Sequence, residues 1–164
     1  MKHVSLRIKR ASMAAAAGAA LALSAGPALA SASAPAQANP HKEYHVIFHI
    51  DSGGDHAIKK TLNNVENLLN DPRVKGHIQI ELLANSNGFD VYVKNNGFKK
   101  RLEELKKDGV ILAQCSNTLR EKHINRKHLY SFITMVPSGM GEIALRESEG
   151  WAYIHPAPPK SPGM

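Results

Sequence analysis

Cysteine occurs once in the 164 residues, at position 115, so no intramolecular disulfide can form. Aromatic residues make up only 5 % of the chain, which leaves no stacking platform for nucleic-acid bases. No tight metal-ligand spacing, no phosphate-binding P-loop and no serine-hydrolase elbow is present, and no internal repeat is evident. Acidic residues are missing from the first ten positions, where Lys2, Arg7, Lys9 and Arg10 stand. These absences exclude a disulfide scaffold, a zinc module and the common nucleotide-binding and hydrolase signatures.

The basic start leads into an apolar run from Ala11 to Ala25, then Gly26-Pro27 and the small-x-small end Ala28-Leu29-Ala30. That is the pattern of a secretory signal peptide over residues 1–30. The run is short for a bilayer span, so we expect cleavage after Ala30 and a periplasmic product without membrane insertion. The formal charge of +7 then loses much of its meaning. Taking the four leader charges from the 21 basic residues leaves 17 against 14 acidic ones, which gives no argument for a nucleic-acid partner. Residues 31–42, rich in Ala, Ser and Pro, read as a disordered linker. Residues 43–156 read as one domain, and 157–164 as a Pro-rich tail.

Within the domain, apolar runs alternate with amphipathic ones. Tyr44 to Ile50 reads as a strand and is followed by the flexible turn Asp51-Ser52-Gly53-Gly54. A helix carrying Ile58, Leu62, Val65 and Leu69 at helical spacing ends near Asp71-Pro72. Ile78 to Ala84 is a second strand, closing into Asn85-Ser86-Asn87-Gly88. A helix from about Asn96 to Lys107 presents Phe98, Leu102 and Leu105 inward. Val110 to Ala113 leads into Cys115 as a third strand, and Ser116 or Asn117 can cap a helix reaching about Ile124. Phe132 to Val136 is a fourth strand, Ser138-Gly139 starts a helix ended by Gly150, and Trp151 to Ile154 is a short last strand. Such alternation implies an α/β fold whose mainly parallel sheet is covered on both faces by right-handed crossovers. The strand order is not readable.

Open α/β sheets hold ligands at the carboxyl ends of their strands, and Cys115 stands there, just before a helix start. Helix-start amides favour a thiolate, whereas a free cysteine can equally serve as a small buried hydrophobe. His45 and His49 share one strand face but are spaced too widely to chelate an ion easily, so they read as polar residues at a sheet edge. Arg120, Lys122, His123, Arg126, Lys127 and His128 read as an exposed basic surface.

The run Gly109-Val110-Ile111-Leu112-Ala113-Gln114-Cys115-Ser116-Asn117-Thr118-Leu119, with Val136-Pro137-Ser138-Gly139, Glu149-Gly150-Trp151-Ala152-Tyr153-Ile154-His155-Pro156 and the opening His45–Asp51, resembles the DsrE/DsrF-like family across residues 44–156. The resemblance implies a three-layer α/β/α fold with a five-stranded sheet, homotrimers or higher oligomers such as hexamers, and sulfur carried as a persulfide on a cysteine placed like Cys115. It implies a sulfur donor or acceptor protein as partner; no cofactor is expected, and the histidine spacing leads us to expect no metal. Cys115 is the candidate catalytic residue. The candidate binding residues are Ser52, Gly53, Asn85, Ser116, Asn117, Thr118, Ser138 and Gly139. The alternative from another class is a non-catalytic oligomeric module that binds a small ligand or a partner at the same edge.

Overall fold

The structure, a computed structural model, describes residues 35–156. The expected signal peptide, the first residues of the expected linker and the expected tail lie outside the described residues. Five strands are joined by four α-helices: β1 (Tyr44–Ile50), α1 (Asp55–Leu69), β2 (Ile78–Ala84), α2 (Lys99–Lys107), β3 (Ile111–Cys115), α3 (Ser116–Glu121), β4 (Thr134–Val136), α4 (Gly139–Ser148) and β5 (Ala152–Ile154). All neighbouring strands run parallel, in the order β4-β3-β2-β1-β5.

That order dictates how the layers fill. The first three crossovers step the same way across the sheet, whereas the last returns from β4 at one edge to β5 at the other. Right-handed connections of opposite direction fall on opposite faces. Side-chain parity agrees. Val46, Phe48 and Ile50, with Ile80, Leu82 and Leu112, pack on one face against Ile58, Leu62 and Val65 of α1, Leu102 and Leu105 of α2 and Leu119 of α3. Ile47, Leu83, Ala113 and Val136 point to the other face and meet Ile143 of α4 and Trp151. One face is thus a thick apolar core, and among the described residues α4 is the helix that serves the other.

An ion-pair network holds α4 down. Glu81, fully buried on the α4 face of β2, accepts from Arg146 Nε at 2.8 Å. Arg146 also reaches Glu142 at 3.1 Å and Glu149 at 3.3 Å, and its guanidinium lies 4.4 Å from the centre of the Trp151 ring. Burial, the largest influence, raises the Glu81 pKa, and Arg146 opposes that rise. The second carboxylate oxygen of Glu81 is buried without a partner among the described residues.

Several boundaries differ from expectation, each for a local reason. β4 begins at Thr134 rather than Phe132, because Phe132 stacks on Tyr130 at 5.1 Å instead of pairing in the sheet. Trp151 lies outside β5; its N–H donates to Arg146 O as part of the helix ending. α3 stops at Glu121, and Ile124 returns its N–H to Leu119 O. Between β2 and α2 runs an unforeseen 3₁₀ segment, Ser86–Tyr92. It exists because Val91 and Tyr92 bury, with the Tyr92 hydroxyl donating to Leu82 O at 2.6 Å. Residues of the expected linker also make bonds: the Asn39 N–H donates to the Tyr44 hydroxyl at 2.8 Å, and Arg73 donates to Ala36 O at 3.3 Å.

Candidate functional site

Register brings the site together. Ile50, Ala84 and Gln114 are aligned across β1, β2 and β3. The next residues, Asp51, Asn85 and Cys115, therefore form a row at the carboxyl edge and point to the α4 face. β4 adds Val136 beside Cys115. Ser138 and Gly139 follow at once, so the start of α4 comes down directly over the thiol.

Cys115 is only 5 % exposed. Its sulfur accepts the Gly139 N–H at 3.1 Å. Ser138 caps α4 by accepting the Gly141 N–H at 3.3 Å, which fixes the helix end that delivers that donor. Gly139 has little alternative: a Cβ there would stand 3.3 Å from the Asn85 Cβ and 3.4 Å from the Cys115 Cβ. The amides of α3 form no hydrogen bond to the sulfur, yet those of Thr118 and Asn117 stand near enough to lower its pKa. The Thr118 hydroxyl accepts the Ser86 N–H at 3.0 Å, leaving its own proton free to turn to the sulfur.

Burial is the largest single influence on the thiol and pushes its pKa up. The Thr118 amide and hydroxyl, with the Gly139 and Asn117 amides, together outweigh it, so the thiol lies below its ordinary value. The sulfur opens on a small cavity of about 160 Å³ lined by Asn85, Ser86, Asn117, Thr118, Glu121, Ser138, Gly139 and Met140. Ser86 holds a left-handed backbone, φ 44°, that a non-glycine residue adopts only at some cost, and it does so at the cavity wall. A thiolate set in a tight, polar, donor-lined recess can attack a small electrophile and hold the anion that results.

Of the candidate residues, Asn85, Asn117, Thr118, Ser138 and Gly139 join Cys115 at this cavity, while Ser116 is not part of its lining. Ser52 and Gly53 lie apart from it. The Ser52 hydroxyl donates to Asp51 at 3.0 Å, and Gly53 is packed so closely that a side chain would overlap the Asp90 carboxylate. The basic surface is partly structural: Lys122 donates to Asn87, and Arg126 donates to the carbonyls of Tyr130 and Ile133. No group of three or more metal-ligating side chains occurs among the described residues.

Ser86, Glu121 and Met140 escaped the sequence reading, as did the role of His49. That side chain is buried and bonded to Tyr153 and Asn85, each at 2.8 Å. His155 stacks on it at 4.8 Å and contacts Asp51 at 3.1 Å. A polar chain thus runs from β5 across β1 and β2 toward the cysteine. The visible hint was the shared parity of His49 and Asp51; Asn85 lies 36 residues on from His49, and Tyr153 104.

No family model and no curated protein matches the chain. Among solved structures it is similar to MTH1491, a protein of unknown function from Methanobacterium thermoautotrophicum. The two are 34 % identical over 70 % of this chain and all of that one, with a TM-score of 0.61. The chain belongs to the family of that Methanobacterium protein. Membership in this family carries the α/β fold, and because the relative is itself of unknown function it brings no activity with it.

Proposed function

We propose that this chain is an exported, DsrE-like sulfur carrier that works through Cys115. The observation that carries the reading is the buried thiol with the Gly139 N–H on its sulfur, facing a recess large enough for only a small group. The basic start and the Ala11–Ala25 run support export. The resemblance across residues 44–156 supports a protein persulfide as sulfur source, a thiol as acceptor, and a homo-oligomer as the working form.

In the loading step the Cys115 thiolate attacks the outer sulfur of a donor persulfide, R–S–SH. A new S–S bond forms on Cys115 while the donor S–S bond breaks, and the donor leaves as R–S⁻ with that electron pair. The transferred sulfur keeps its proton, giving Cys115–S–SH, which ionises readily. Delivery repeats the step with an acceptor thiolate attacking the outer sulfur and returns Cys115 as thiolate. No net oxidant is needed.

Incubation of the full chain with a small-molecule persulfide should add one sulfur atom by intact mass, removable by reductant. Cys115→Ser should abolish the gain while leaving the circular dichroism spectrum unchanged. The low exposure of Cys115 favours a second reading, a non-catalytic module that binds a small ligand in the same recess. A thiol that alkylates only after denaturation, with no sulfur gained by the native protein, would select that reading.

A further inference from the structure

Asn85 lines the cysteine recess, and four further side chains lie behind it that the transfer step does not use: Asp51, His49, Tyr153 and His155. Their bonding admits a definite proton arrangement. Asn85 Oδ1 can only accept, so His49 Nε2, 2.8 Å away, carries the proton. Burial, the largest influence, keeps His49 neutral, and His155 acts in the same direction against the Asn85 bond and Asp51. A neutral imidazole has one N–H, which leaves Nδ1 as an acceptor for the Tyr153 hydroxyl at 2.8 Å. His155, stacked against the ring and bonded to Asp51, prevents it from turning.

With its oxygen committed to His49, the amide of Asn85 must turn its Nδ2 group the other way. On that side lies the recess. A Cβ built on Gly139 would be 3.6 Å from Asn85 Nδ2 and 3.4 Å from the Cys115 Cβ, so amide and thiol side chain flank the same point. Nδ2 has no acceptor among the described residues.

We propose that His49 and Tyr153 are positioning residues, which lock the Asn85 amide so that its Nδ2–H donors meet the anionic sulfur held on Cys115. The proposal deepens the carrier reading and rests on it for the identity of the anion. Asn85 supplies the donor that α3 and α4 lack on the β2 side. The hydroxyl of Tyr153 acts through two hydrogen bonds, without touching the substrate.

The test uses the full chain with iodoacetamide across pH and, separately, a small-molecule persulfide. Tyr153, 41 % exposed on the edge strand, can lose its hydroxyl without threatening the fold. Tyr153→Phe and His49→Leu should each slow sulfur loading about tenfold, the scale of one lost hydrogen bond to a charged group, and should raise the pH midpoint of alkylation. His49→Gln, whose amide N–H can still donate to Asn85, should recover most of the rate. In an Asn85→Leu background Tyr153→Phe should have no further effect, because the two act through one bond chain.

Wild-type rates and midpoints in Tyr153→Phe would overturn the proposal. So would an effect of Tyr153→Phe that persists undiminished without Asn85. If His49→Leu fails to fold, the Tyr153 and Asn85 variants decide alone. If the wild type gains no sulfur, the carrier reading falls, and the alkylation midpoints still decide whether the amide is held toward the thiol.

Discussion

A cysteine as enclosed as Cys115 would ordinarily hold its proton, since burial disfavours the anion. What reverses the balance is the direction of the surrounding dipoles: an α4 amide on the sulfur, α3 amides behind it and the Thr118 hydroxyl beside it. Half-maximal alkylation of the folded protein is therefore expected at a lower pH than that of the unfolded chain, whose thiol has its ordinary value. The same shift has a consequence for stability. A group whose folded pKa lies below its unfolded one adds stability that is complete above the unfolded value and vanishes as pH falls through the folded one. The stability of the wild type relative to Cys115→Ser should accordingly grow as pH rises toward 9.0, the ordinary value of the thiol. Urea melts at a series of pH values measure this; an advantage that shrinks with rising pH would mean the thiol is not held as an anion.

At the scale of elements, the site depends on how α4 is seated, and Arg146 is the pin. Removing it leaves the Glu81 carboxylate buried without a partner, an arrangement that costs about 3 kcal/mol or more in comparable interiors; the partial exposure of Arg146 argues for the lower end. Arg146→Met should therefore lose about 2–3 kcal/mol at neutral pH in denaturant unfolding. Without the guanidinium, burial raises the Glu81 pKa further. A raised acid contributes stability below its unfolded pKa that is lost as pH rises through the folded one. Mild acidification should thus recover part of the deficit, whereas Glu81→Gln with Arg146→Met should remove that pH dependence. Elements such as β1, β2 and α1 were legible because their apolar periods are long and their ends carry Gly or Pro. The Ser86–Tyr92 segment was not, because Asn-Ser-Asn-Gly chemistry looks the same in an open turn as in a 3₁₀ start. His49 reads in the sequence, with His45, as a polar residue at a sheet edge, since its partners lie beyond β2 and in β5 and their adjacency follows only from the strand order.

For the molecule as a whole, two expectations lie beyond the single domain. Export predicts that the periplasmic form begins at Ser31, which amino-terminal sequencing reads directly; an intact Met1 on a membrane-bound product would refute it. The second concerns the face that, among the described residues, only α4 covers. Five strands at about 4.8 Å spacing make a sheet about 19 Å across, while one helix shields a strip about 10 Å wide. The apolar exposure on this side is Leu145, 62 %, and Met140, 54 %, on α4 itself, with Tyr153, 41 %, on the short edge strand β5. Edge strands and exposed apolar helix faces of this kind are commonly closed by another subunit. Together with the resemblance, this leads us to expect a homo-oligomer, most simply a trimer, with the outer side of α4 in the contact. Light scattering of the exported form at micromolar concentration should give a multiple of the monomer mass. Leu145→Glu should reduce it to monomer without slowing alkylation of Cys115, because Leu145 does not line the recess. A wild-type protein that is monomeric under these conditions would remove the oligomer from the reading and leave the α4 face as the feature still requiring a partner.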